Sequence, residues 1–166
     1  MTTPSDQEKA QAKVVRYLQS AHAMEQQSLD LIQSLARQTE DDQFEQALAL
    51  HANETRDHLV FLERRLEALG DDTSTFKETQ NKVMAAASAA AAAMRPDQAG
   101  KNARDAYVAA QVEIAFYEML ERLARRAGDE ETGDLVRLIR HNEEAHAHKI
   151  ASMWDHFVDL SLRETT

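Results

Sequence analysis

"DDTSTFKETQNKVMAAASAAAAAMRPDQAGK", residues 71–101, decides the fold. It separates two pairs of long helical segments and is too long to be a turn. Ahead of it, a helix starts at Ser5, with Glu8 three residues on in a capping-box pattern, and runs to about Arg37. A second helix begins after "TEDD" (39–42) and ends at Gly70, a residue suited to a helix C-terminus. Behind the connection, one helix runs from about 102 to Gly128 and the last from near Thr132 to about 162. The short links after the first helix and before the last make each pair an antiparallel hairpin. The connection itself carries an alanine-rich helix over roughly 75–94, which stops at "RP" (95–96). No segment shows strand alternation. The chain therefore reads as all-α: a four-helix bundle of two antiparallel hairpins, with a long crossover carrying an extra helix, in one domain over 1–166. A plain antiparallel bundle or spectrin-like repeat is the ordinary alternative, and the long crossover argues against it.

Composition agrees and narrows the function. Four glycines and two prolines in 166 residues suit long helices. With no cysteine, disulfides, thiolate metal sites and iron–sulfur clusters are excluded, so any metal site must use carboxylates and imidazoles. A net charge of −10 argues against nucleic acid and anionic membrane surfaces as partners. The start "MTTPSDQEKA" lacks the basic and apolar regions of a signal peptide, and "VMAAASAAAAAM" (83–94) is about half of what crosses a bilayer. A soluble cytoplasmic protein is expected.

The inward faces follow from helical phase, about 100° per residue. In the first helix Val14, Leu18, Ala21, Leu29, Ile32 and Ala36 form the apolar stripe, and Glu25 falls on its centre line. In the second, Phe44, Ala47, Leu48, Leu62, Leu66 and Leu69 form it, with His51 and His58 near the middle and Glu54 on the flank. In the helix after the crossover, Ala106, Ala109, Phe116, Leu120, Leu123 and Ala127 enclose Glu113, while Glu118 turns to solvent. In the last, Leu135, Ile139, Ile150, Met153 and Phe157 carry Glu143 and His146, and His141, Glu144 and His148 face the other way. The pattern H-x-x-E-x-x-x-H occurs at both 51–58 and 141–148, but phase sends the second copy to water. Each helix thus turns one glutamate inward. Glu25 and Glu54 are 29 residues apart and Glu113 and Glu143 are 30, so the four sit at comparable depth in two similar hairpins. Four unpaired buried carboxylates would be very costly, few lysines or arginines face inward, and two divalent ions would neutralise them.

One glutamate from each of two helices plus Glu-x-x-His from the other two resembles the ligand set of the ferritin-like di-iron carboxylate superfamily. Within it the chain is most similar to the stress-associated YciE/YciF type. "LHANETRDHLVFLERRLEALG" (50–70) resembles that family's His-x-x-Glu-Thr stretch and the helix that follows. "VAAQVEIAFYEMLERLARRAG" (108–128) resembles its helix with Glu-x-x-x-Tyr, and the alanine-rich connection has its counterpart there. The resemblance covers about residues 8–160 and implies that Glu25, Glu54, Glu113, Glu143 and His146 are metal ligands. The second helix departs from the superfamily pattern, because Asp57 stands three residues after Glu54 where histidine is expected. Its ligand is then His58 or His51, both within reach of the same depth.

Oxygen and imidazole donors suit two ions of iron, with manganese or zinc as alternatives. Such a pair implies dioxygen or peroxide as substrate and a di-metal oxidoreductase as the activity. His22, one turn before Glu25, is a candidate to orient a ligand, with a partly exposed helix histidine as its ordinary reading. Tyr17, Tyr107 and Tyr117 are candidate radical or hydrogen-bonding neighbours. Tyr117 is nearest Glu113 by angle, and core packing is its ordinary reading. Three functions compete: a stress-related oxidase or peroxide-handling protein, an iron-binding bundle without turnover, and a structural bundle without metal. A homodimer is expected.

Overall fold

Local capping chemistry sets the helix ends. The computed structural model describes residues 5–71 and 98–164. Helix α1 spans Asp6–Gln38; the Ser5 hydroxyl accepts from the Glu8 amide at 3.2 Å, and Glu8 returns the favour to the Ser5 amide at 2.5 Å. Helix α2 spans Asp42–Ala68, capped by Asp41, whose carboxylate accepts from the Phe44 amide at 2.9 Å. Helices α3 (Gln98–Arg126), α4 (Glu130–Ala151) and α5 (Trp154–Glu164) follow. Gly70 and Gly128 end α2 and α3 with φ of 78° and 75°, the left-handed cap that glycine adopts without strain. The next residue's amide reaches back to Leu66 or Ala124, which satisfies a carbonyl the helix would otherwise leave open. The expected helix over 75–94 lies outside the described residues.

The helices pair α1 with α2, α3 with α4, α1 with α3 and α2 with α4, and α5 packs against α3. Contacts such as Glu54 to His146 and His58 to Asn142 make α2 and α4 antiparallel, since one number rises as the other falls. This is the all-α ferritin-like bundle. Its core is in two parts. One half holds Val14, Leu18, Leu62, Leu66, Leu120 and Ile139. The other holds Ile32, Phe44, Leu48, Ile150, Met153 and Phe157.

Two expectations need correction. The last helix is not continuous to 162. At Ser152 the hydroxyl donates to the Lys149 carbonyl at 2.7 Å, and the Met153 amide bonds Ile150 at 2.9 Å, three residues back. The turn tightens and competes with helical bonding. The chain re-aims so that Phe157 meets Phe44 edge-on at 5.0 Å. In α3 the buried line is Ala103, Ala106, Ala110, Tyr117 and Ala124, not Ala109, Phe116 and Leu123. Alanines let the neighbouring helices approach, and Phe116 and Leu123 pack from the flanks.

One end of the bundle is tied by polar bonds. Arg65 on α2 reaches the α3–α4 turn: Nε donates to Thr132 at 2.8 Å, Nη2 to Asp129 at 2.7 Å and Nη1 to Glu131 at 2.5 Å. Asp129 also caps α4 through the Thr132 amide at 3.0 Å and accepts from Gln11 of α1 at 3.1 Å. Three helices therefore meet on one carboxylate. Asp129→Ala removes a cap and strands a largely buried guanidinium, so it is expected to cost roughly 3 kcal/mol in urea unfolding. Glu131→Ala, whose side chain is exposed, should cost less than about 1 kcal/mol. Equal losses in the two variants would show that the network is not the tie.

Candidate metal centre

Between the two apolar halves lies a polar layer. Glu25 and Glu143 are 0% exposed and Glu113 2%, with His51, His58 and His146 buried beside them. Each arrives there by helical phase, because each continues the stripe of leucines and alanines that faces the bundle axis.

Two sets of donors share one carboxylate. Glu25, His58 and Glu143 place a ligand atom each within 4.8 Å of one another, and so do His51, Glu113 and Glu143. In the first set His58 Nδ1 is 3.2 Å from Glu25 Oε2 and 3.7 Å from Glu143 Oε1. The Asn142 side-chain amide lies on the far side of that ring, 3.1 Å from Nε2. The Tyr117 hydroxyl donates to the other Glu25 oxygen at 2.5 Å. In the second set His51 Nε2 is 3.0 Å from Glu143 Oε2, and its ring stacks on His146 with centroids 3.8 Å apart. His146 Nε2 lies 2.6 Å from Glu54 Oε2. Glu54, about one-third exposed, joins the layer from its flank. Glu113 Oε2 is buried without a hydrogen-bond partner.

The charges are resolved by protons. Burial, reinforced by repulsion from Glu25, pushes the Glu143 carboxyl up to about 7. Burial and the charges of Glu143 and Glu25 hold Glu113 well above the usual carboxylate range. His51 is pulled down to about 4, chiefly by burial. His146 falls to about 4 through burial and through the His51 ring stacked on it. His58 goes the other way. Burial pulls it down, but its bond to Glu25 and the charges of Glu25, Glu143 and Glu113 outweigh that, and the imidazolium is favoured. Tyr117 stays firmly protonated because it is buried against Glu25. Burial and like charge thus favour the protonated form of Glu113, and the carboxylates around His58 favour its charged form, where phase alone had suggested that inward cations were scarce.

All seven residues singled out from the sequence, Glu25, His51, Glu54, His58, Glu113, Glu143 and His146, come together at this layer. α2 buries both His51 and His58, one in each set. His141, Glu144 and His148 are on the outer side as expected; His141 pairs with Glu144 at 2.9 Å. Glu118 takes part in surface ion pairs with Arg122 and Arg140. Tyr117 is both core packing and a hydrogen-bond donor. His22 is buried rather than partly exposed, and its ring meets Glu63 of α2 at 2.9 Å. Asn142 was missed. Its signal was its position one turn before His146 on the side of α4 that faces α2.

Residues 9–162 match the family described as a domain of unknown function, DUF892. Among solved structures, a protein of Xanthomonas campestris pv. campestris is 24% identical, with a TM-score of 0.79, over 95% of this chain and 99% of that one. The bacterioferritin of Desulfovibrio desulfuricans, a protein with a diiron site, is 20% identical at a TM-score of 0.76, over 95% of this chain and 87% of its own. The Escherichia coli stress protein YciF is 17% identical at 0.70, over 96% and 99%. These likenesses agree with the four-helix architecture built above. The chain belongs to the DUF892 family, the family of YciF and YciE, on a ferritin-like fold.

Proposed function

We propose that the polar layer is a dinuclear metal centre, and that the protein is a stress-related bundle that binds iron and handles peroxide or dioxygen. The observation that carries this is the pair of three-donor sets sharing Glu143 in the middle of a dry bundle. The orphaned Glu113 oxygen fits it too, because a buried acceptor without a donor is what a cation would satisfy. Carboxylate and imidazole donors without thiolate suit iron first, then manganese or zinc. Glu143 would bridge, and Glu54 with His146 would complete the second set from the flank. Bound there, a metal pair would supply two electrons to dioxygen or peroxide. The chain's own residues would exclude water, through the apolar halves on either side, and would give up the protons on Glu113 and His58 as the ions enter. A shared fold with a protein that has a diiron site supports the reading. One observation favours the alternative, a structural bundle without metal: each of the three imidazoles already lies within hydrogen-bond distance of a carboxylate. We further propose that the protein acts as a homodimer, with a solution mass of twice 18.7 kDa.

Elemental analysis after growth in iron-rich medium tests the centre. About two ions per chain are expected, as in two-metal sites. Glu143→Ala should lose both, because both sets use it. His146→Ala should lose metal while His148→Ala should not. Equal loss in the two histidine variants, or metal retained by Glu143→Ala, would overturn the assignment.

The pH dependence of stability gives a second test. A carboxyl raised from 4.5 to about 7, as Glu143 is, makes the folded chain bind the extra proton, so stability falls as pH rises between those values. Glu113 and His58 act in the same direction. His51 and His146, lowered from 6.5 to about 4, act oppositely over 4 to 6.5, since there the unfolded chain binds more protons. The effects offset one another below pH 6.5, and only the fall remains above it. Chelator-treated protein should therefore lose thermal stability from about pH 6.5 upward, and iron should restore it most at the upper end. Unfolding curves that are the same with and without chelator at pH 8 would favour the metal-free bundle.

A further inference from the structure

We propose that a second copy of this chain docks on the outer faces of α3 and α5, through a seam between two antiparallel α3 helices. The inference rests on the homodimer proposed above and adds which face forms it. Six of the ten large apolar side chains exposed among the described residues lie on these two helices. On α3 they are Val108, Val112 and Met119, all at least half exposed, and Ala115 stands exposed between them. Positions 108, 112, 115 and 119 follow the alternating four- and three-residue spacing of a coiled-coil seam. The buried line of α3, through Ala106, Ala110, Tyr117 and Leu120, faces the opposite way. The helix is therefore apolar on two sides, and the bundle core occupies only one of them. α5 widens the outer side. Its Trp154 meets Tyr107 of α3 at 5.4 Å, and the Ser161 hydroxyl accepts from the Gly100 amide at 3.2 Å. Val158, one turn on from Trp154, is 57% exposed. By helical phase it lies on the side of α5 that adjoins the outer face of α3.

Charge selects a second copy as the occupant. Lys101 and Arg104 precede the apolar stretch on the outer side of α3, and Arg122 and Arg126 follow it. α5 exposes Asp155 and Asp159 beside this basic helix. Elsewhere a chain of net charge −10 repels its own kind, and here both signs are offered on one face. The order basic, apolar, basic is symmetric about a point between residues 113 and 114, as a two-fold interface requires. Two α3 helices laid antiparallel about that point set Val112 against the partner's Ala115 and Val108 against the partner's Met119. α5 runs antiparallel to the start of α3, so the same register brings the partner's Arg122 and Arg126 alongside Asp155 and Asp159. The aspartates then stand between Arg104 and the partner's Arg122, which would otherwise repel. From Lys101 to Arg126 the seam is about 38 Å long at 1.5 Å per residue. With α5 alongside and helices about 10 Å wide, it offers on the order of 550 Å² in projection. Interdigitating side chains bury more than their projection, which approaches the roughly 800 Å² per partner of a standard interface.

Sedimentation equilibrium of the full chain tests the seam. The wild type is expected at twice 18.7 kDa. Val112→Asp combined with Met119→Asp places four carboxylates in the seam of each dimer and should weaken association at least about a hundredfold. Both side chains are exposed in the single chain, so circular dichroism should show unchanged helix content. Arg126→Glu sets a carboxylate against Asp159 of the other copy and should weaken association roughly tenfold. Adding Asp159→Arg to the same chain should restore it, a recovery that damage to the fold would not show. A dimer that survives the double aspartate change docks through another face, which overturns this inference and leaves the homodimer standing. Failure of Asp159→Arg to rescue Arg126→Glu overturns the antiparallel register on which the inference stands. A monomeric wild type overturns the homodimer and this inference together, and is the result expected if residues 72–97 or a different protein cover the face.

Discussion

Three carboxylates with almost no exposure stand in the middle of this bundle, and most of its other features answer to that. Water is not available to solvate them, so each needs a proton, a hydrogen-bond donor or a cation. The chain provides donors from three of the four long helices: imidazoles from α2 and α4 and a phenol from α3. None reaches its partner unless the helices are in register to within about a turn. The layer therefore fixes register, a property that leucine and alanine packing, which tolerates sliding, leaves loosely specified.

The cost is visible in how the layer is protonated. Glu113 and Glu143 repel each other and Glu25, which favours a proton on Glu113 and a charge on His58 between two carboxylates. His51 and His146, stacked face to face, cannot both carry charge in a dry site and remain neutral. The metal-free layer is thus balanced, but by mobile protons rather than fixed charges. Within it the Glu113 Oε2 is left without a hydrogen-bond partner. A site satisfied by removable protons can stay folded without metal and still exchange them for ions.

Much of this was legible in the sequence because helical phase is a local property. Ser5 with Glu8, Gly70 and Gly128 marked helix ends where they occur, since caps depend on a few adjacent residues. Glu25, Glu113, Glu143 and His146 faced inward as phase required, and Asp57 and His148 did not. What phase could not give was contact across helices. The pairing of His22 with Glu63 depends on how α1 lies against α2, and that of Asn142 with His58 on how α4 lies against α2. The rotation of α3 onto Ala110 and Tyr117 reflects side-chain volume, which a hydrophobic periodicity does not weigh. The break at Ser152 turns on one hydroxyl competing for one carbonyl, a signal too small to outweigh the apolar repeat on either side.

The division of labour between the middle and the ends follows from these energetics. The layer contributes specificity at a cost in stability, so stability must come from elsewhere. The two apolar halves supply it, and at one end Arg65 and Asp129 tie α1, α2 and the α3–α4 turn without touching the layer. At the other end Phe44 and Phe157 bring α5 over α2, and His156 reaches the α2 cap Asp41 at 2.8 Å. Both ends are closed by contacts that need no ion. The four helices can then hold seven polar groups in position whatever the layer contains, which is the preorganisation that a binding site in a bundle interior requires. Glu54 is the exception. It is the one inward carboxylate left partly in water, and through His146 and His51 it is also linked by contacts to Glu143.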